Sequence, residues 1–178
     1  MQVVKIPSER VSALIGKQGA TASMLQKKCK VTITATPDGA VEIEGEPVDE
    51  FFSKDVVKAI GRGFEPSVAL KLLQDNYVFK IIDIKDFASS REAISRIKSR
   101  VIGTEGKTKR IIETDADCDL CIYGYTVSVI ATLETIDLAV NAVLKIVEGS
   151  NHSTVYAYLE RSRARMKEER VKQALGFQ

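Results

Sequence analysis

Apolar residues alternate with polar ones in two pairs of short segments, a pattern typical of β-hairpins with one buried face. The apolar positions of the first pair are Val31, Ile33, Ala35, Val41 and Ile43. Those of the second pair are Cys118, Leu120, Ile122, Val127, Val129 and Ala131. Turn residues stand between the segments, with Gly39 in the first pair and Gly124 in the second. The β-rich segments 3–6 and 77–84 predict one further strand before each hairpin.

An amphipathic helix is predicted after each hairpin. The first begins at Pro47 and ends at Gly61, and its expected buried face consists of Val48, Phe52, Val56 and Ala59. The second begins at Thr135 and ends before Gly149, and its expected buried face consists of Ile136, Val140, Val143 and Val147.

A short motif occurs twice, 87 positions apart. Residues 12–19 are Ser-Ala-Leu-Ile-Gly-Lys-Gln-Gly, and residues 99–106 are Ser-Arg-Val-Ile-Gly-Thr-Glu-Gly. Both copies occur in the order strand, helix, Gly-x-x-Gly loop, helix, strand, strand, helix. This repeat predicts an α+β protein with two similar modules, each with a three-stranded sheet and three helices.

The repeat divides the chain into four parts. We expect a first module at residues 1–62, a connector with a short helix at 63–76, a second module at 77–149, and a basic C-terminal helix at 150–178 that starts near Asn151 or Ser153.

Charge is distributed unevenly, although the whole chain has a net charge of only +2. Residues 9–30, 91–110 and 150–178 carry +4, +5 and +3, whereas the remainder carries −10. Basic segments of this kind suit a surface that binds a polyanion. Three cysteines without a repeated spacing favour a reducing compartment, and the first residues resemble a strand and no signal peptide, so we expect a cytoplasmic protein without membrane insertion.

The chemistry of the repeated loops points to nucleic acid. Two glycines allow a sharp turn and the close approach of a ligand, and the start of a helix favours a phosphate there. The residues predicted to bind RNA through the loops and the basic residues beside them are Gly16, Lys17, Gln18, Gly19, Gly103, Thr104, Glu105, Gly106, Lys107, Lys109 and Arg110. The predicted walls of an apolar groove for bases are Ile15, Ala22, Leu25, Ile102 and Ile112.

The two loops differ in charge. Lys17 gives the first loop a cation, whereas Glu105 places an anion in the second, which weakens phosphate binding unless Lys107, Lys109 and Arg110 compensate.

The segments Leu14–Gly19 and Val101–Gly106 resemble the KH signature, in its eukaryote-style type I element order. The stretches Gly106–Glu113, Gly149–Tyr156 and Gly63–Leu73 are similar to the archaeal KH ribosome-assembly family, the counterpart of the eukaryotic partner of Nob. Ala22 and Lys109 depart from the general KH pattern, which has an apolar Ile at these positions.

This resemblance implies binding of single-stranded RNA near the 3′ end of small-subunit ribosomal RNA. It also implies two protein partners, the endonuclease that trims this RNA and the alpha subunit of initiation factor two. Separately from the resemblance, we expect no cofactor or metal. In KH modules the loop holds the backbone of about four nucleotides.

Two other functions are compatible with the sequence. A KH pair also suits a regulator of messenger RNA. The second alternative is an RNA-processing nuclease that uses Asp83, Asp86, Asp115, Asp117 and Asp119. A zinc site at Cys118 and Cys121 is disfavoured, because residues three apart on a strand point to opposite faces.

Overall fold

The computed structural model describes residues 1–176 and shows the predicted element order twice. The first module contains β1 (Gln2–Lys5), α1 (Ser8–Ile15), α2 (Ala20–Cys29), β2 (Val31–Ala35), β3 (Ala40–Gly45) and α3 (Pro47–Gly61). The connector contains α4 (Pro66–Ala69) and a 3-10 turn at Leu70–Leu73. The second module contains β4 (Tyr77–Asp83), α5 (Arg91–Ile102), α6 (Lys107–Asp115), β5 (Cys118–Tyr123), β6 (Thr126–Thr132) and α7 (Ile136–Val147).

A long helix, α8 (His152–Ala174), follows the second module. The last two residues of the predicted C-terminal helix segment, 177 and 178, lie outside the described residues. The α+β class with two modules of the type βααββα is thereby confirmed.

Each module has an antiparallel three-stranded sheet, in the order β1-β3-β2 in the first and β4-β6-β5 in the second. The central strand is the second strand of the hairpin, so β2 and β5 are edge strands. The predicted alternation is confirmed on β3, where Val41 and Ile43 are fully buried while Glu42 and Glu44 are exposed. This register fixes the helix-facing side of the sheet.

The helices cover one face of each sheet and form a core with it. Residues 87 positions apart hold matching core positions, for example Leu14 with Val101 and Leu25 with Ile112, all fully buried. The prediction for Val48 was wrong: its side chain is 66% exposed. It lies in the first turn of α3, and the buried face of that helix runs instead through residues such as Val57 and Ile60.

The second face of the β4-β6-β5 sheet packs against the first module and the connector. Ile130 on β6 is fully buried and belongs to the hydrophobic core of the first module, together with Phe64 and Leu72. The rings of Phe64 and Phe79 meet edge to face with centroids 6.2 Å apart. A Cβ atom on Gly63 would lie 2.7 Å from Cys121 Sγ, so the connector touches β5 closely.

Polar contacts also join the modules. Lys71 Nζ lies 2.5 Å from Asp119 Oδ2, and this hydrogen bond raises the pKa of the Lys71 ammonium group. The Tyr123 hydroxyl donates to Glu9 Oε1 at 2.6 Å, and the Arg10 guanidinium lies over the same ring. The modules therefore share both an apolar and a polar interface.

Helix α8 packs across α6 and α7. Val155 and Leu159 are fully buried in the core of the second module, and Met166 packs against its edge. Along residues 1–176, no helix has both the length and the apolarity needed to cross a membrane.

Candidate nucleic-acid interface

The two Gly-x-x-Gly loops have nearly the same backbone conformation. In the first, Gly16, Gln18 and Gly19 have positive φ values of 73°, 52° and 78°. The corresponding values for Gly103, Glu105 and Gly106 are 74°, 52° and 74°. Gln18 and Glu105 thus adopt the left-handed region, which L-residues other than Asn and Asp rarely enter.

The two glycines of each loop are required for different reasons. A Cβ on Gly16 would collide with the Thr21 side chain and lie 2.9 Å from the Thr21 backbone nitrogen. A Cβ on Gly103 would collide with Thr108 in the same way, 2.7 Å from its backbone nitrogen. By contrast, apart from the adjoining backbone, no heavy atom of residues 1–176 lies within 4 Å of a Cβ built on Gly19 or Gly106. The second glycine of each loop therefore presents bare backbone to solvent.

Each loop leads directly into the first turn of a helix. Gly19 and Gly106 occupy the N-cap positions of α2 and α6. Because glycine has no side chain, neither cap residue offers a side-chain acceptor to the helix amides. The first N–H groups of an α-helix lack carbonyl partners within the helix and lie at the positive end of its dipole. The Ala20 amide donates to the Lys17 carbonyl and the Lys107 amide to the Thr104 carbonyl. The feature that both loops offer a phosphate is therefore the open backbone of the second glycine at the positive end of the helix dipole.

The predicted loop cations lie in different places. Lys17, Lys107 and Arg110 are exposed, and the Arg110 guanidinium donates to the backbone carbonyl of Glu105 at 2.7 Å. Lys109 is half-buried, and its Nζ lies 3.8 Å from Glu113 Oε1 on the same helix. Arg110 therefore supports the second loop directly, whereas Lys109 is engaged one turn further along α6.

The predicted groove residues separate into two groups. Ile15 and Ile102, which immediately precede the loops, are 38% and 37% exposed. Ala22 is half-buried. Leu25 and Ile112 are fully buried, so their prediction as groove walls is corrected: they point under the helix into the module cores, where a base cannot touch them.

A pair of helix-to-strand bonds was missed by the sequence analysis. Gln26 Oε1 on α2 accepts a hydrogen bond from the Ile33 amide of β2 at 2.9 Å. Glu113 Oε1 on α6 accepts one from the Leu120 amide of β5 at 3.0 Å. Both pairs are related by the 87-residue offset of the repeat. The shared offset was the available signal, since both helix positions carry long side chains with an oxygen acceptor.

The first turns of α8 form hydrogen bonds with the two helices that flank the second loop, α5 and α6. His152 Nε2 donates to the Arg100 carbonyl at 2.8 Å, and the Tyr156 hydroxyl lies 2.7 Å from Thr108 Oγ1. The Arg100 side chain in turn donates to the Ile146 carbonyl in the last turn of α7 at 2.8 Å and to the Ser150 carbonyl beyond it at 2.5 Å. The helix entry was predicted from Asn151, which occupies the N-cap without a side-chain bond.

The basic residues of α8 are largely engaged in ion pairs. Arg163 binds Asp115 at 2.9 Å, and Arg170 makes a two-pronged contact with Glu134 at 2.6 and 2.8 Å. Lys172 pairs with Glu168 at 2.8 Å. Much of the positive charge counted in this segment is therefore compensated locally, and the segment suits a polyanion less well than its composition indicated.

The aspartates considered for a nuclease are spread over the second module and its interface. Asp83 accepts from the Lys85 amide, Asp115 binds Arg163, and Asp119 binds Lys71. Three of the five carboxylates are thus occupied by partners in separate places.

Cys118 and Cys121 lie on opposite faces of β5, as the strand alternation predicts. Cys118 packs against the core of the second module, and Cys121 against that of the first. Burial raises the pKa of the Cys118 thiol to about 12 and also raises the pKa of the Cys121 thiol.

Two βααββα modules, each with a Gly-x-x-Gly turn between its first two helices, define a tandem type I KH protein. The models of known families agree: residues 1–50 match the KH domain, and residues 78–164 match the eukaryotic type KH-domain (KH-domain type I). Over 175 residues the chain is 41% identical to the KH domain-containing protein MJ0443 of Methanocaldococcus jannaschii, covering 96% of this chain and 77% of that protein. The chain belongs to this family of archaeal KH-domain proteins.

Two further relatives extend the comparison. The pre-rRNA-processing protein pno1 of Aspergillus fumigatus is 33% identical over 119 residues, which cover 65% of this chain and only 47% of the fungal protein. The crystal structure of an a/eIF2alpha-aDim2p-rRNA complex from Pyrococcus horikoshii OT3 matches with a TM-score of 0.86 and 37% identity, covering 92% of this chain and 93% of the matched chain. The resemblance to ribosome-assembly KH proteins is thereby confirmed.

Proposed function

We propose that this protein binds single-stranded RNA without catalysing a reaction, and that it holds the 3′ region of small-subunit pre-rRNA during ribosome assembly. The observation that carries this proposal is the open second glycine of each loop, which lies at the positive end of a helix dipole. A phosphate can approach such a glycine without meeting a side chain. The loop residues and cations named from the sequence are the proposed contacts, with Ile15, Ala22 and Ile102 as the apolar groove surface.

The relatives support the choice of RNA. The Pyrococcus protein forms a complex with ribosomal RNA and a/eIF2alpha, and the fungal relative is named as a pre-rRNA-processing protein. We accordingly propose ribosomal RNA and the alpha subunit of initiation factor two as partners in the cytoplasm, with the rRNA-trimming endonuclease as a further partner. Residues 1–62 and 77–149 are the proposed RNA-binding units, joined by 63–76 and followed by the helix segment 150–178.

Aspartates in the loops test the binding site. Lys17→Asp with Gln18→Asp adds negative charge to the first loop, and Thr104→Asp with Glu105→Asp does so in the second. Affinity for a fluorescent single-stranded RNA with the 3′ sequence of small-subunit rRNA is measured by anisotropy at several salt concentrations. We expect a loss of roughly tenfold or more when both loops are changed, and a smaller salt dependence because phosphate contacts are lost.

The matched control is Lys172→Asp with Gln173→Asp, the same pair of changes on the exposed end of α8. This control keeps the affinity close to that of the unchanged protein if the loops are the site. Equal losses in control and loop variants, with circular dichroism showing intact folds, would contradict the proposal.

The non-catalytic part has its own test. The purified protein is incubated with labelled RNA and magnesium or manganese, and the RNA length is followed on a denaturing gel. Uncleaved RNA is expected, and site-specific cleavage that survives further purification would overturn this part. Sequencing of RNA crosslinked in cells is expected to return small-subunit rRNA, whereas a predominance of messenger RNA would favour the regulator.

A further inference from the structure

In each module, a backbone amide of the edge strand donates a hydrogen bond to a side chain of the helix that follows the loop, and the two amides occupy equivalent positions. The Ile33 amide on β2 donates to Gln26, and the Leu120 amide on β5 donates to Glu113. Because β2 and β5 pair with a neighbour on one side only, these amides face the helix across the groove. The side chain that closes each amide is therefore the polar group at the inner wall of each groove.

The closing side chains lie on the helix face that starts at the open glycine. Gly19, Ala22 and Gln26 follow the spacing i, i+3, i+7, which places them in one row along α2. Gly106, Lys109 and Glu113 form the same row on α6. Gln26 and Glu113 stand about 10 Å along the helix from the glycine. When a phosphate of an RNA strand contacts the loop, the next bases of that RNA therefore lie beside this row of helix residues.

The two closing side chains differ in what they offer a base. Gln26 uses its oxygen on the strand, so its amide nitrogen remains as a hydrogen-bond donor. The carboxylate of Glu113 can only accept hydrogen bonds. Its Oε1 accepts from the Leu120 amide and keeps a free lone pair, and its Oε2 takes no part in that bond. Its side chain is 29% exposed, so a ligand can reach it. The first groove presents a donor and the second an acceptor.

Lys109 adds a cation beside that acceptor. Its Nζ lies 3.8 Å from Glu113 Oε1, and Ala22 holds the matching position in the first module. Among the four RNA bases, guanine alone has two adjacent donors, the ring N–H and the 2-amino group, next to a carbonyl acceptor. Its donors suit the Glu113 carboxylate, and its carbonyl suits the Lys109 ammonium group.

We propose that Glu113 is a specificity-determining residue that selects guanine in the groove of the second module, whereas Gln26 favours a base with an exposed acceptor in the first. This inference rests on the proposed function, because it assigns base selectivity to the RNA-binding grooves. The difference arises from two replacements at matching positions, an amide by a carboxylate at Gln26 and Glu113, and a methyl by an ammonium group at Ala22 and Lys109.

The test compares Glu113→Gln with the unchanged protein. Glutamine keeps an oxygen for the Leu120 amide, so the fold is retained, but it presents a donor to the base. A randomised pool of single-stranded RNA is selected against each protein, and the enriched RNA is then synthesised with inosine in place of each guanosine in turn. Inosine lacks only the 2-amino group.

For the unchanged protein we expect one guanosine whose replacement by inosine weakens binding by about fivefold to tenfold. For Glu113→Gln the same replacement has less than about a twofold effect, because the acceptor for the amino group is gone. Gln26→Glu is expected to create a second inosine-sensitive guanosine. Glu148→Gln, an exposed position after α7, serves as the control and keeps the original pattern.

Two outcomes overturn the inference separately from the proposed function. If RNA binds and the loop aspartates weaken it, but Glu113→Gln shows the same inosine sensitivity as the unchanged protein, only the guanine selectivity is wrong. If the unchanged protein enriches no RNA from the pool, the proposed function is wrong and the inference is overturned with it.

Discussion

The Tyr156 hydroxyl lies 2.7 Å from Thr108 Oγ1, so α8 forms a hydrogen bond with the residue that packs against the first glycine of the second loop. Thr108 is 2% exposed, and it is the residue that a Cβ on Gly103 would strike. The loop, the start of α6 and the start of α8 are thereby packed as one unit. RNA binding at the second loop should depend on a helix that lies behind it.

Tyr156→Phe removes this hydroxyl and leaves Thr108 with one buried partner fewer. We expect about 1 kcal/mol of lost stability, because a buried hydrogen bond is removed with little change in volume. RNA affinity is expected to fall only in a protein whose first loop already carries the two aspartates. Urea unfolding and anisotropy measure the two effects. Tyr158→Phe is the control, because the Tyr158 ring packs under Lys145. Equal losses of stability in both variants would contradict a specific role of the Tyr156–Thr108 hydrogen bond.

Substitution of the two glycines of the second loop is expected to affect different properties, stability for the first glycine and RNA affinity for the second. Gly103→Ala brings a Cβ against the Thr108 backbone nitrogen at 2.7 Å and should cost about 2–3 kcal/mol of stability. Gly106→Ala meets open space and should cost only about 1 kcal/mol, from its positive φ, while it blocks the approach of RNA. Unfolding free energies and RNA affinities check this division. It is wrong if Gly106→Ala binds RNA normally, or if both variants are equally destabilised.

The ion pair between Arg170 and Glu134 predicts a pH-dependent attachment of α8. The hydrogen bond from Arg170 lowers the pKa of Glu134 below its ordinary value of 4.5. A group whose pKa is lowered by folding stabilises the fold above its ordinary pKa and loses this contribution as the pH falls through the lowered value. The protection of the amides along residues 163–174 against hydrogen exchange, relative to the unfolded chain at the same pH, should therefore decrease as the pH falls below 4.5. Glu134→Gln should abolish this step, and an unchanged profile in that variant would disprove the assignment.

Gly63 brings the backbone of the connector close to β5 of the second module. It has a φ of 100°, and an added Cβ would lie 2.7 Å from Cys121 Sγ and 3.2 Å from Tyr123 Cβ. Gly63→Ala should therefore lower stability by about 1–3 kcal/mol and loosen the contact between the modules. Denaturant unfolding and small-angle scattering report the two effects. Gly124→Ala, at a positive φ but in open space within the described residues, is the control, and a similar loss there would contradict the packing argument.

The thiols of the folded protein should react slowly. Burial raises the pKa of Cys29 and Cys121, and that of Cys118 to about 12, so little reactive thiolate forms near neutral pH. Labelling with a chromogenic disulfide reagent at pH 8 is expected to be slow in buffer and fast in urea. Rapid labelling of Cys118 in the folded state would contradict its position in the core.

The local pattern of the chain was enough to predict the order of elements, the two loops and the single buried face of the first hairpin. These features depend on residues close in sequence, and Val41 and Ile43 show how directly a period of two gives a buried face. In the second hairpin the prediction of one buried face was wrong, because β6 is buried on both faces. The position of each helix around its axis was harder to predict. Leu25 and Ile112 were placed in the groove, but both are fully buried in the module cores.

Contacts between distant segments explain what was missed. The charge of α8 could be counted, but its pairing with Asp115 and Glu134 depends on how that helix crosses the second module. The bonds from Gln26 and Glu113 likewise require a helix and an edge strand to be brought together. The exact repeat offset was the only sign of them in the sequence.

Ile130 belongs to the central strand of one module but is buried in the core of the other. With Lys71 bound to Asp119 and Tyr123 bound to Glu9, this leaves little freedom for the two modules to move apart. An RNA that occupies both loops must then bridge a fixed distance, so the number of nucleotides between its two contact sites becomes a selected property. The protein would distinguish RNAs by spacing as well as by base, in the way that a rigid dimer selects the separation of its half-sites.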